Sequence, residues 1–133
     1  KDLAMYQSGE PLKMKLRVAS RKDYKDLRLR IELRYSDDTP VGTMPNISLG
    51  AIGAGEEKDF LVDFQPAGLT NGKFRVDMVL FEIDDVGNSY DEELLLPAFF
   101  FEVQDNEDIV WNQTTWGHVR FPDAEVTELP QKG

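Results

Sequence analysis

Apolar and polar residues alternate along most of this chain, and a period of two is the mark of strands with one buried face. Leu12, Met14, Leu16 and Val18 alternate with Lys13, Lys15 and Arg17. Leu27, Leu29, Ile31, Leu33 and Tyr35 alternate with Arg28, Arg30, Glu32 and Arg34. Phe60, Val62 and Phe64 alternate with Leu61 and Asp63. Phe74, Val76, Met78 and Leu80 interleave with Arg75, Asp77, Val79 and Phe81. The same reading predicts strands over 98–103 and 116–121, with less pronounced patterns at 3–7, 47–52 and 93–96. No stretch of ten or more residues carries a 3.6-residue apolar period.

Turn chemistry separates these runs. Ser36-Asp37-Asp38-Thr39-Pro40 follows one strand, and Gly53-Ala54-Gly55-Glu56 precedes another. Pro66-Ala67-Gly68 and Asn71-Gly72 bracket Leu69, and Asp84-Asp85-Val86-Gly87-Asn88 closes the next long strand. Glycine and asparagine supply positive φ and proline presets φ, so each cluster has a mechanical reason to turn. Short strands at regular spacing predict an all-β fold, an immunoglobulin-like antiparallel β-sandwich.

At 133 residues the chain has the size of one domain, able to bury about two-thirds of its unfolded surface. We expect a sandwich over 1–121 and a tail over 122–133, with Glu125 to Gly133 poorly ordered. Cysteine is absent, so no disulfide is available, which suits a reducing compartment. No apolar run approaches the roughly 20 residues of a membrane helix; Pro97 interrupts the longest, Leu94 to Phe101. The chain opens Lys1-Asp2, without an initiator Met or a signal-peptide pattern, so we expect a piece of a longer or processed protein.

The formal net charge is −10, and it is unevenly spread. Residues 1–81 hold 13 basic and 12 acidic side chains, against 2 and 13 over 82–133. An acidic surface repels phosphate backbones, which argues against nucleic acid as a partner.

The chain is poor in catalytic signals. His118 is the sole imidazole, and no serine sits in a G-x-S-x-G elbow. Asp91, Glu92 and Glu93 are adjacent, with no opposing acid placed across a cleft as glycoside hydrolysis requires. Gly53-Ala54-Gly55 lacks the Lys-Ser/Thr of a phosphate loop. Asp84, Asp85, Asn88 and Asp91 offer oxygen ligands of the kind calcium takes, but their spacing fits no calcium loop. Acidic residues are common in β-turns, so the expectation is no metal, no cofactor and no enzyme. Asn46-Ile47-Ser48 and Asn112-Gln113-Thr114 match the glycosylation triplet, which has meaning only in a secretory setting.

The outward faces carry more. In an immunoglobulin-type sandwich the third, sixth and seventh strands share a sheet. If 27–35, 73–82 and 98–103 are those strands, Phe81 and Phe100 lie on its outer face, beside Arg30, Glu32 and Arg34. Exposed aromatic rings on a sheet mark a contact surface or lie under the chain's own tail. In the closing strand Val119 and Phe121 would face inward and Trp116, His118 and Arg120 outward. Such a strip suits sugar: indole stacks on a pyranose face while imidazole and guanidinium bind hydroxyls or an acidic substituent. A buried anchoring role for Trp116 is the competing reading.

The order of several segments adds a family resemblance. They are Ser8-Gly9-Glu10-Pro11-Leu12, strand 27–35 with its acidic turn and Val41-Gly42-Thr43, and Gly55-Glu56 before Phe60–Phe64. Leu69-x-x-Gly72-x-Phe74, the run from Pro97 to Val103, and Trp116-Gly117-x-Val119-x-Phe121 complete the set. Over roughly residues 8–121 the chain resembles the carbohydrate-binding C-terminal domain of the ATP-binding subunit in bacterial polysaccharide ABC exporters of the O-antigen type. Each piece alone is common, and the order is what carries the likeness.

The resemblance implies a non-catalytic module, fused after a nucleotide-binding domain, at the cytoplasmic side of the plasma membrane. It implies recognition of a lipid-linked polysaccharide and its presentation to the membrane subunit, with homodimers formed through the terminal strand. The implied glycan surface is the outer, concave face of one sheet. Trp116, His118, Arg120, Phe81, Phe100, Arg34, Glu32 and Arg30 are the candidates taken from the faces. Two other readings compete. One is an immunoglobulin-like protein-interaction domain using the Phe81 and Phe100 face, and the other is an accessory carbohydrate-binding module of a glycosidase.

Overall fold

The computed structural model describes residues 4–7, 9–65, 68–83, 89–92, 99–104 and 109–130. Among the described residues eight strands follow one another: β1 Ala4–Gln7, β2 Leu12–Ala19, β3 Tyr24–Tyr35, β4 Pro40–Ile52, β5 Glu57–Phe64, β6 Gly72–Ile83, β7 Ser89–Glu92 and β8 Phe99–Gln104. One short helix, α1, spans Gln113–Trp116. The strands form a six-stranded sheet in the order β1-β8-β6-β3-β4, with β7 also on β6, and a two-stranded sheet β2-β5. This is the β-sandwich that the alternation predicts. The strands predicted over 27–35, 73–82 and 98–103 correspond to β3, β6 and β8, which share one sheet with β6 in the middle.

Alternation sets what each sheet turns inward. Leu12, Met14, Leu16 and Val18 are buried on β2 while their neighbours are exposed. They meet Leu27, Leu29, Ile31 and Leu33 of β3, Phe74, Val76 and Leu80 of β6, and Phe101 and Val103 of β8 in one core. Full burial of each large side chain contributes about 1.5–3 kcal/mol. Phe74 stacks on Phe101 at 5.4 Å between ring centroids, and Tyr6 meets Phe101 edge-on at 5.9 Å. Hence Phe99, Phe101 and Val103 turn inward on β8, and Phe100 turns out.

Two features depart from the predicted antiparallel pattern. β1 pairs with β8 in parallel, Ala4 opposite Phe101, so the large sheet is mixed. β4 starts at Pro40 instead of residue 47. The turn-forming residues Pro40, Gly42 and Pro45 argue against a strand in the sequence, yet β4 is a sheet edge, where proline is tolerated at bulges. Leu29 pairs with Ile47 and Ile31 with Met44, so β4 carries an extra residue around Pro45.

The closing strand predicted over 116–121 is not there. Asn112 caps α1, its side chain accepting from the Thr115 N–H at 3.2 Å. Gly117, at φ +82°, ends the helix. Only Val119 then makes a β-bridge, to Leu69. Local capping and a left-handed glycine override an alternation only a few residues long. Residues 121–130 follow without regular structure and all are exposed. The predicted strand at 93–96 lies outside the described residues, as do 84–88 of the calcium candidate. Among the described residues no helix is long and apolar enough to cross a membrane.

Candidate functional site

The outer face of the large sheet is built by register. Along β3, Arg28, Arg30, Glu32 and Arg34 point away from the core. Pairing with β6 sets them opposite Phe81, Val79, Asp77 and Arg75. Arg75 in turn lies opposite Phe100 of β8. One row across three strands therefore reads Arg34, Arg75, Phe100.

This register places like charges side by side, Arg34 against Arg75 and Glu32 against Asp77, which alone would destabilise the sheet. The charges pair along the strands and diagonally instead. Arg30 Nε donates to Glu32 Oε2 at 2.7 Å, and Glu32 also lies 3.5 Å from Arg34. Arg34 lies 3.6 Å from Asp77. Arg75 grips Asp77 with Nε at 3.0 Å and Nη2 at 3.1 Å, and reaches Asp38 with Nη2 at 2.6 Å. Hydrogen bonds that Arg75 donates to Asp77 first, and then to Asp38, raise its pKa further above the ordinary value. Arg28 donates to Asn46 Oδ1 at 3.1 Å and pairs with Asp26. The result is a ladder, Arg30–Glu32–Arg34–Asp77–Arg75–Asp38, in which each charge faces an opposite one.

The hairpin between β3 and β4 fixes the lower end of that ladder. Asp38 takes a positive φ of 72°, a conformation that aspartate tolerates better than most residues. Its N–H donates to the Tyr35 carbonyl at 2.9 Å, and the Tyr35 N–H donates to the Thr39 carbonyl at 2.9 Å.

The two predicted outer phenylalanines have different fates. Phe100 is 54% exposed, on the predicted face. Phe81 is on that face as well but is only 4% exposed, which corrects the expectation of an open ring. The Arg30 guanidinium stands over it, 5.9 Å from its centroid, and β7 pairs beside it. The two rings also form no single patch. Six residues along the sheet separate Phe81 from Arg75, the partner of Phe100, which is about 20 Å at ~3.3 Å per residue.

Trp116, His118 and Arg120 do not line one strand face, because no strand runs through them. Trp116 sits at the end of α1, 50% exposed, with its ring edge-on to Trp111 at 5.1 Å. His118 lies on the Tyr35 ring at 4.0 Å and meets Phe74 edge-on at 6.4 Å. The Arg120 N–H donates to the Gly68 carbonyl at 2.6 Å. Segment 111–120 thus closes the end of the sandwich where β3 finishes and β6 begins. Thr70 is fully buried there and donates its N–H to the His118 carbonyl at 3.1 Å. The tail therefore covers the loop before β6, and no described contact places it over Phe100.

Arg75, Asp77 and Asp38 belong to the same surface as Arg30, Glu32 and Arg34, and sequence reading did not single them out. Arg75 and Asp77 were legible as outward residues of a strand. What selects them is the cross-strand register, which alternation does not contain. Among the described residues no group of three or more His, Asp or Glu side chains is placed to hold a metal ion.

A second feature lies between the sheets. A cleft of about 210 Å³ opens beside β4, lined by Ile31, Leu33, Val41, Met44, Phe64 and Leu69 among others. Its walls are mostly apolar, with Thr43 and Gln65 among them, and no member of the ladder lines it.

No family model and no curated protein matches the chain. Among solved structures, the C-terminal domain of Wzt superposes with a TM-score of 0.67 at 12% identity, covering 92% of this chain and 73% of that one. At that identity the likeness shows a shared fold, the β-sandwich described above.

Proposed function

We propose that this chain is a non-catalytic carbohydrate-binding domain that recognises a cell-surface polysaccharide for an ABC exporter. The row Arg34, Arg75, Phe100 carries the reading. A half-exposed aromatic ring there adjoins a comb of paired guanidinium and carboxylate groups on an outer sheet face. Phe100 offers a flat apolar surface for the C–H face of a pyranose, and the ladder offers donors and acceptors to its hydroxyls. The segment order read from the sequence and the fold shared with the C-terminal domain of Wzt support the same assignment. Within it the domain works beside the membrane subunit, at the inner face of the plasma membrane.

Pairing of two copies through the C-terminal segment belongs to the proposal. Phe121 (80%), Val126 (92%) and Leu129 (79%) are all exposed along it, a density of apolar side chains suited to a second surface.

Isothermal titration of the chain with surface polysaccharide from the cell that makes it tests the reading. Saturable binding that Phe100→Ala weakens at least several-fold supports it. Binding that Phe100→Ala leaves unchanged would move the site off this face, and no binding by the folded chain would reject the carbohydrate assignment.

A further inference from the structure

The ladder on the outer sheet face also constrains what kind of glycan that face accepts. Three guanidiniums and three carboxylates alternate through Arg30, Glu32, Arg34, Asp77, Arg75 and Asp38, with separations of 2.6 to 3.6 Å. Their charges cancel. Five of the six side chains are 26–31% accessible, so their edges can still meet a ligand. We infer that this face selects neutral, hydroxyl-rich glycans and disfavours anionic ones. The inference rests on the carbohydrate reading above and adds the class of substrate to it.

The argument is electrostatic. A carboxylate, sulfate or phosphate on a sugar would need an arginine whose charge is available, and here Arg34 and Arg75 are already shared among Glu32, Asp77 and Asp38. Displacing one of those acids leaves it unpaired beside the incoming anion, so the exchange gains little. The chain as a whole adds a net charge of −10 that repels polyanions. A hydroxyl meets no such penalty, because it donates to a carboxylate and accepts from a guanidinium at once. Adjacent hydroxyls of one sugar can therefore bridge neighbouring members of the ladder without breaking it.

A glycan array carrying neutral, sialylated, uronate-containing and sulfated oligosaccharides tests this on the whole chain, with affinities for retained glycans measured at about 50 and 500 mM salt. The expected result is retention of neutral glycans with affinities that change less than about twofold across that range, since no net ion pairing is screened. Preferential retention of anionic glycans, with affinity falling steeply as salt rises, would overturn the inference and leave the carbohydrate reading standing. No retention of either class by chain shown folded by circular dichroism would overturn both.

Asp38→Asn gives an independent arm. Asp38 is an exposed turn residue, so the variant is expected to fold, and asparagine also tolerates its positive φ. Removing this acid leaves Arg75 with Asp77 alone and the ladder with one excess positive charge. Asp38→Asn should then gain at least several-fold, salt-sensitive retention of the anionic glycans relative to the parent chain. No gain would contradict a face whose selectivity comes from charge cancellation.

Discussion

The His118 imidazole lies on the Tyr35 ring, with centroids 4.0 Å apart and planes 19° from parallel. Tyr35 ends β3, which lies between β6 and β4, so this stack fastens the segment after α1 to an interior strand of the large sheet. Phe74 stands edge-on to both rings. His118→Ala removes both contacts, and aromatic pairs of this kind contribute about 0.5–1.5 kcal/mol each beyond their buried area. The expected outcome in a thermal melt is a fall of several degrees, with glycan affinity retained. Unchanged stability would show that the segment is held by its backbone bonds alone.

Gly68→Ala should be more damaging. Gly68 has φ +84°, and a Cβ there would stand 2.7 Å from the Arg120 carbonyl oxygen, a backbone atom that cannot swing away. The same glycine accepts the Arg120 N–H at 2.6 Å. A side chain would therefore strain its own backbone and push the segment off the loop, at a cost of roughly 1–3 kcal/mol. Chemical denaturation measures it, and a midpoint equal to that of the parent chain would contradict this closure.

The two tryptophans are predicted to separate in role. Trp111 Nε1 donates to the Gly117 carbonyl at 2.7 Å, tying the start of the segment to the residue that ends α1. Trp116 is half-exposed, its ring T-shaped to that of Trp111. Trp111→Ala loses a hydrogen bond worth about 0.5–1.5 kcal/mol as well as ring contact, so it should destabilise more than Trp116→Ala in matched urea titrations. Equal midpoints would contradict the anchoring role of Trp111.

Asp37 links the β3–β4 hairpin to pH. Hydrogen bonds from Thr39, its side chain first and its backbone N–H at 3.0 Å, hold the Asp37 carboxyl below its ordinary pKa. A carboxyl depressed in the folded state contributes stability above its unfolded pKa, about 3.9, and that contribution is lost as pH falls through the folded value. Asp37→Asn should therefore lower the urea midpoint slightly at pH 7. The difference from the parent chain should shrink as the pH drops below about 3.9. A gap that persists in strong acid would assign the effect to something other than ionisation.

Sequence alternation shows most of this fold, because period two and inward burial are the same statement for a two-layered sandwich. It places β2, β3, β5, β6 and β8 and assigns their faces, including Phe100 outward between two inward aromatic residues. It misses the first half of β4, where Pro40, Gly42 and Pro45 spell a turn and an edge position tolerates them. At residues 116–121 a short alternation gives way to the Asn112 cap and Gly117. The face residues Arg30, Glu32 and Arg34 were readable from β3 alone. Their partners Arg75, Asp77 and Asp38 were not, since the ladder depends on cross-strand register and on a turn with positive φ. Phe81 shows the same limit. Its outward direction is legible, but its cover by Arg30 and its place beside β7 are tertiary facts.

Backbone amide spectra recorded during titration with the polysaccharide test the central claim most directly. The account predicts that the largest shifts fall on Phe100, Arg75, Arg34 and their outer-face neighbours Glu32 and Asp77, with small shifts across β2 and β5. Shifts concentrated on the β2–β5 sheet or along the apolar cleft beside β4, with the outer face unmoved, would contradict it.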